Sequence, residues 1–207
     1  MATGSLADVL RGHRPRSDVE AADLARAREL LSAADPWDRG SYPHFTASAL
    51  IVHPATRRAL LRWHERQGAW LQVGGHADPG ESRPLDIALR EGAEEAGLAD
   101  LVPWPDPSLV HLVIVAVPAS AREPAHEHVD LRFLFATGTP EAVRPEKPTA
   151  PLRWLSLPQA RDLTTEANFR ETLDRAERLL DEAAGPEPAP PGPSADLAPP
   201  DQAPGIA

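Results

Sequence analysis

Glu91, Glu94 and Glu95 fall at positions i, i+3 and i+4, the spacing that gathers side chains on one face of a helix. Carboxylates crowded this way repel one another unless something positive sits among them. Arg90 is the adjacent base, and on a regular helix it is expected to project into a neighbouring sector. Spacing alone leaves two readings open. One is a solvated acidic face. The other is a ligand set for a hard divalent cation, Mg2+ or Mn2+, which accepts carboxylates and keeps waters and phosphate oxygens as its other ligands.

The surrounding residues form one compact unit, "GGHADPGESRPLDIALREGAEEAGL" (74–98). Gly74 and Gly75 permit a tight turn and a close backbone approach to a ligand. Pro79 and Gly80 turn the chain back, and Glu81 sits near a helix start, where the dipole favours negative charge. The pattern predicts a helix from about Pro84 to Ala96, with Gly97 as its C-cap. Ala88, Gly92 and Ala96 make a stripe of small residues that lets the helix lie close against a sheet, with Leu85 and Leu89 flanking it.

This segment resembles the signature of the Nudix hydrolase family: a glycine, five residues, a glutamate, seven residues, Arg-Glu, an apolar residue, any residue, Glu-Glu, any residue, Gly and an apolar residue. Gly75, Glu81, Arg90, Glu91, Glu94, Glu95, Gly97 and Leu98 match it in turn. The chain departs from the pattern in two places. Eight residues separate Glu81 from Arg90, the extra one expected in "SRP" ahead of the helix, and Gly92 stands where the family has an apolar side chain. The resemblance implies an α/β/α sandwich with a mixed β-sheet over about residues 44–183. It implies cleavage of the pyrophosphate linkage in a nucleoside diphosphate joined to another moiety. It also implies the roles of the residues. Glu91, Glu94 and Glu95 would ligate Mg2+ or Mn2+, helped by the backbone carbonyl of Gly75. Glu91 or Glu95 would instead act as base through a water. Arg90 would orient Glu91, Glu81 would support the site from outside it, and Gly75 and His76 would meet the substrate. The partner implied is a small phosphorylated molecule, a nucleotide derivative, and a homodimer is allowed for.

The rest of the chain fits a single decorated domain of 207 residues. The formal net charge of -10 argues against nucleic acid or an anionic membrane surface as partner. The absence of cysteine excludes disulfides, thiolate metal sites and a cysteine nucleophile, and with it isopentenyl diphosphate isomerase, which resembles the same fold but needs that cysteine. No signal peptide or membrane span is read, so a cytoplasmic protein is expected. Residues 1–43 are expected as a helical extension, with Ser17 and Glu20 as a capping box and Pro36, Gly40 and Pro43 ending it. Residues 44–184 form the main domain, with strands expected over 44–54, 58–65, 69–75, 109–119, 128–138 and 152–157. A loop is expected over 100–108, and helices over 158–163 and 168–183. Residues 185–207 are rich in Pro and Ala and are expected to be a disordered tail.

Three further features leave alternatives open. "HEHVD" (126–130) puts His126, His128 and Asp130 on one strand face, which suits a half-buried strand, a cleft wall or a zinc site. "PWPDP" (103–107) echoes a stretch of Nudix enzymes acting on NADH, but is expected to be only a loop. Trp63, Trp70 and Trp154 could stack on a base or fill the core. A rival to hydrolysis is a Nudix-type module that binds a nucleotide and regulates without cleaving it. Survival of Arg90, Glu91, Glu94 and Glu95 favours the enzyme.

Overall fold

The computed structural model describes residues 4–120 and 123–185. Its organising element is the run HFTASALIVH, β1 (His44–His53), buried along nearly its whole length. A strand buried on both faces needs a layer on each. Phe45, Ala47, Ala49 and Ile51 join one core, while Leu50 and Val52 join the other. One edge of β1 runs parallel to β7 (His126–Ala136), with His44 opposite His128. The other edge pairs antiparallel with β2 (Arg58–His64) at residues 51–53, then with β4 (Val73–Gly75) at residues 47–49. β1 and β2 therefore diverge. β3 (Ala69–Leu71) returns along the far end of β2 and leads into β4, so that Gly74 lies opposite Ser48 and Gly75 opposite Ala47. "AWLQVGG", expected as one strand, is two because the chain changes partners there.

β8 (Leu152–Ser156) covers the remaining edge of β2. β6 (His111–Val117) and β5 (Val102–Pro103) lie on the far side of β7. β5 was expected as loop; the rest of "PWPDP" remains loop and contains the cis bond Trp104–Pro105. α1 (Leu6–Gly12), α2 (Asp18–Glu29) and α3 (Pro84–Ala96) share one core, and α4 (Leu157–Leu163) and α5 (Ala167–Ala184) the other. The result is the α/β/α sandwich with a mixed sheet. The tail expected over 185–207 lies outside the described residues apart from Gly185. Among the described residues no helix is long and apolar enough to cross a membrane.

α3 keeps its expected bounds. Pro84 occupies the first turn, and Gly97 ends the helix in the left-handed region at φ 66°. A Cβ on Gly92 would stand 3.1 Å from Ala49 Cβ and 3.2 Å from Leu101 Cδ1. The helix lies this close to β1 because that position carries no side chain, at roughly 0.8–1.0 kcal/mol of helix propensity relative to alanine.

The N-terminal segment differs from expectation in a useful way. Ser17 accepts a hydrogen bond from the Glu20 N–H at 3.2 Å, but the Glu20 side chain does not return to Ser17. It turns inward, where it is 1% exposed. There it accepts from His13 Nε2, both Arg175 Nη atoms and the backbone N–H groups of Arg16 and Leu112. Asp23 accepts from the Ile114 N–H. Two carboxylates of α2 thus satisfy donors along the outer edge of β6, a position that would otherwise invite pairing with another chain. Burial works to raise the Glu20 carboxyl, but the hydrogen bonds from His13 and Arg175 outweigh it and hold the group well below the usual carboxylate range.

These buried groups make stability depend on pH. His111 bonds Thr172 Oγ1 through Nδ1 at 2.9 Å. It is faced by Arg132, Arg175, Glu20 and Asp130, and burial, aided by the two arginines, lowers it from 6.5 to about 3. As pH falls, the unfolded chain therefore takes up this proton first, and the native state is penalised. Stability is expected to drop by about 1.4 kcal/mol per pH unit below about pH 6.5 from this residue alone. Below the ordinary values of 4.5 for Glu20 and 3.8 for Asp130, both depressed in the fold, the loss steepens. Denaturant midpoints measured from about pH 7.5 to 4 check this, and a flat profile would contradict it.

Candidate active site

The glycine pair and α3 meet across the wedge between β1 and β2. Gly74 has φ 152°, and a Cβ there would fall 2.6 Å from Ser48 Cα and 2.8 Å from the Ala47 carbonyl oxygen. No side chain fits so close to backbone. At Gly75 a Cβ would fall 2.7 Å from the Glu91 carboxylate, so this glycine opens the space that Glu91 occupies. Glu95 accepts from the Gly74 N–H at 3.1 Å and pairs with Arg62 at 3.1 Å.

Arg90 does not project into a neighbouring sector. Its long side chain curls back, with Nη1 3.0 Å from Glu91 and 3.0 Å from Glu94. Nε and Nη2 grip the two oxygens of Glu81 at 2.9 Å each, and Nη2 also donates to the His76 carbonyl at 2.9 Å. One guanidinium therefore ties three carboxylates to the loop. The helix begins at Pro84, after Glu81, Ser82 and Arg83, and the fork between Arg90 and Glu81 forms across the longer spacing.

The carboxylates differ in environment. The hydrogen bonds from Arg90 hold Glu81 low. Burial raises Glu91, and raises Glu95 to about 6 despite Arg62 beside it. Glu91, Glu94 and Glu95 line a cavity of about 650 Å³ together with Gly74, Gly75 and His76. Carboxylate oxygens on one helix face, two of them partly desolvated, beside a backbone position with no side chain, suit a hard dication. The structure thus brings Glu91, Glu94, Glu95, Arg90, Gly75 and His76 together, with Glu81 behind Arg90.

The opposite wall comes from β7. Asp130 accepts from Thr46 and Ser48 on one oxygen, at 3.0 and 2.8 Å. On the other it accepts from Gln72 and Arg132, at 3.3 and 2.8 Å. Burial would raise this carboxyl, but Arg132 outweighs it and keeps it low. His128 and Asp130 both line the cavity, so the cleft-wall reading of "HEHVD" holds. The zinc triad drawn from that motif does not, because Asp130 is engaged by Thr46, Ser48, Gln72 and Arg132. Trp70 and Trp63 pack edge to face at 5.7 Å beside the second core. Trp154 donates its indole N–H to the Pro140 carbonyl at 2.9 Å. None of the three lines the cavity. Sequence reading missed Arg62, Ser48 and Arg132, whose proximity comes from strand register.

Gly75→Ala is expected to displace the Glu91 carboxylate while leaving the fold intact, since Gly75 is not in the left-handed region. Turnover should fall by ~10–100-fold, in line with the cost of misplacing a reacting group by about an ångström. Steady-state rates and a thermal melt on the same sample test it.

The family pattern described as the NUDIX domain matches residues 42–176. No curated protein matches the chain. Among solved structures, an Ap4A hydrolase of C. elegans in a binary complex is similar, with TM-score 0.54 and 21% identity over 67% of this chain and 98% of that one. A structure from Listeria monocytogenes assigned to the NUDIX hydrolases has TM-score 0.51 and 15% identity, over 67% of this chain and 95% of that one. These likenesses show the fold. The domain match covers well over half of the sequence, and with the order of residues from Gly75 to Leu98 it gives the conclusion that the chain belongs to the Nudix hydrolase family.

Proposed function

We propose that this protein is a divalent-metal-dependent pyrophosphohydrolase that cleaves the diphosphate linkage of a nucleotide derivative, such as a dinucleotide, a nucleotide sugar or a nucleoside triphosphate. The observation that carries this reading is the packing of the Glu91 carboxylate against Gly75, in one cavity with Glu94 and Glu95. In this reading those three carboxylates and the Gly75 carbonyl hold Mg2+ or Mn2+. When bound, such an ion would supply neutralisation of the diphosphate charge and a lowered pKa for a water. Arg90 fixes Glu91 and Glu94, and Glu81 anchors Arg90 from outside the cavity. One of Glu91 and Glu95 would instead serve as the base and take the proton of the attacking water, a role that typically contributes 10²–10⁴-fold. Water attacks one phosphorus, and the phosphoryl-bearing group on the far side of the broken P–O bond leaves. Gly75 and His76 border the phosphates, and the cytoplasmic location expected from the sequence belongs to the same proposal.

The test is a panel of nucleotide sugars, dinucleotides including Ap4A, and nucleoside triphosphates, incubated with Mg2+ and scored for released phosphate or nucleoside monophosphate. Metal-dependent cleavage of at least one member is expected. Binding of a nucleotide without any cleavage across the panel would favour the regulatory module instead.

A further inference from the structure

Four imidazoles converge from three strands beside the carboxylate cluster. His44 opens β1, His76 follows β4, and His126 and His128 open β7. The parallel register sets His44 opposite His128, and the pairing of β4 with β1 brings in His76. The ring centroids of His44, His76 and His128 are 5.1, 4.7 and 4.9 Å apart pairwise. One ring nitrogen from each lies within 4.8 Å of the other two.

Ring packing alone would explain the proximity, but not the hydrogen bonds. His44 is 1% exposed, and its Nδ1 lies 2.7 Å from the Ser41 carbonyl oxygen. A carbonyl only accepts, so Nδ1 carries the hydrogen and Nε2 carries a lone pair. That Nε2 is buried and has no partner among the described residues. Leaving such an acceptor buried and unpaired is destabilising. An imidazole fixed by Nδ1–H to a backbone carbonyl is also how metal-binding histidines are held. His126 repeats the arrangement, with Nδ1 2.9 Å from the Pro124 carbonyl oxygen. Its own Nε2 therefore accepts, and faces His128 Nε2 at 3.0 Å. His128 then donates through Nε2 and keeps a lone pair on Nδ1. Two of the three clustered rings are thus held in tautomers that leave a bare nitrogen.

We propose that His44, His76 and His128 form a second metal site, one for a d-block dication of the zinc class, with His126 holding His128 from behind. Imidazole nitrogens suit Zn2+, whereas the neighbouring carboxylates suit Mg2+ or Mn2+, so the two sites select different ions. Zn–N bonds of about 2.0–2.1 Å in a tetrahedral site place nitrogens ~3.3 Å apart. Side-chain adjustment from a separation within 4.8 Å is enough to reach that. His76 and His128 line the cavity, so a fourth position would open on the same space as Glu91, Glu94 and Glu95, where a water or a phosphate oxygen can complete the shell.

The experiment uses the full chain stripped with a chelator. Zn2+ affinity is measured by competition with a chromophoric chelator, and Co2+ is followed by its visible absorption. One equivalent of zinc per chain is expected, with a four-coordinate cobalt spectrum. His44→Ala should weaken zinc by at least tenfold, while Glu91→Gln combined with Glu94→Gln should leave it in place. Zinc-edge X-ray absorption on the wild-type protein should show three imidazoles, a readout that does not depend on any variant folding. An oxygen-only shell, unchanged affinity in folded His44→Ala, or loss of zinc in the glutamate double variant would overturn the site. Hydrolysis assayed with Mg2+ in zinc-free protein reports separately on the proposed activity.

Discussion

Glu94→Gln and Glu95→Gln are each expected to lower turnover by at least ~100-fold without unfolding the protein. Glutamine keeps the size of the side chain and removes only its charge, so the change isolates what the carboxylate does. Glu94 is exposed enough to tolerate the swap, and Arg90 lies 3.0 Å from it. Glu95 accepts from Gly74 N–H on one oxygen and pairs with Arg62 on the other, so the single amide oxygen of glutamine keeps one of these contacts and gives up the other. Glu95→Gln should therefore remain folded, with a modest drop in melting temperature, and Glu94→Gln should melt close to wild type, while the rate collapses in both. The size of the loss follows from what is removed: a negative ligand at the centre of charge neutralisation or the group that accepts the water's proton, either of which reaches this range. Rates unchanged by both substitutions, in folded protein, would remove the catalytic reading of α3.

The second large effect concerns stability. Arg175 is 0% exposed and Glu20 1%, and they form two hydrogen bonds at 2.8 Å each, with Glu171 a further partner of Arg175. Their ion pair ties α5 to α2 around the edge strand β6. Removing one partner strands a charge in the interior, which typically costs about 3–5 kcal/mol. Glu20→Ala is expected to cost that much, because it also uncaps the Leu112 N–H. Arg175→Met should cost less, since His13 and two backbone donors remain on Glu20. The pair Glu20→Leu with Arg175→Met should recover the part owed to the stranded charge, since a buried ion pair is often replaceable by well-packed apolar side chains, but not the part owed to His13 and the Arg16 and Leu112 N–H groups. Urea denaturation of the two single variants and the double variant checks all three. A single-variant loss under about 1 kcal/mol would show that the pair is not the clamp described here.

What could be read from the sequence was whatever depends on local spacing. The bounds of α3, the cap at Gly97 and the close contact at Gly92 follow from residues within a few positions of one another. So does the grouping of Glu91, Glu94 and Glu95. The direction of Arg90 did not follow, because helix geometry gives the root of a side chain and not the path of a long flexible one toward Glu81. Glu20 was misread for a related reason. Its spacing from Ser17 suits a capping box, but buried Arg175, 155 positions away, competes for the carboxylate and wins. The wall made by Asp130, Arg132, Thr46 and Ser48 depends on the parallel register of β1 and β7, as does the meeting of His44 with His128. Nothing in either strand's own sequence fixes that register. The signal available was the pair of charges at Asp130 and Arg132 within the otherwise apolar run 129–136 of β7, which marks a buried network rather than a solvent face.

The most direct test of the central claim is a titration of chelator-treated protein with Mn2+, followed by the paramagnetic resonance signal of the free ion. Wild-type protein should remove Mn2+ from solution, Mg2+ should compete it off, and Glu91→Gln combined with Glu95→Gln should weaken the binding by at least an order of magnitude. A wild-type chain that leaves the free-ion signal untouched, or a double variant that binds as tightly as wild type, would mean that the acidic face of α3 holds no metal.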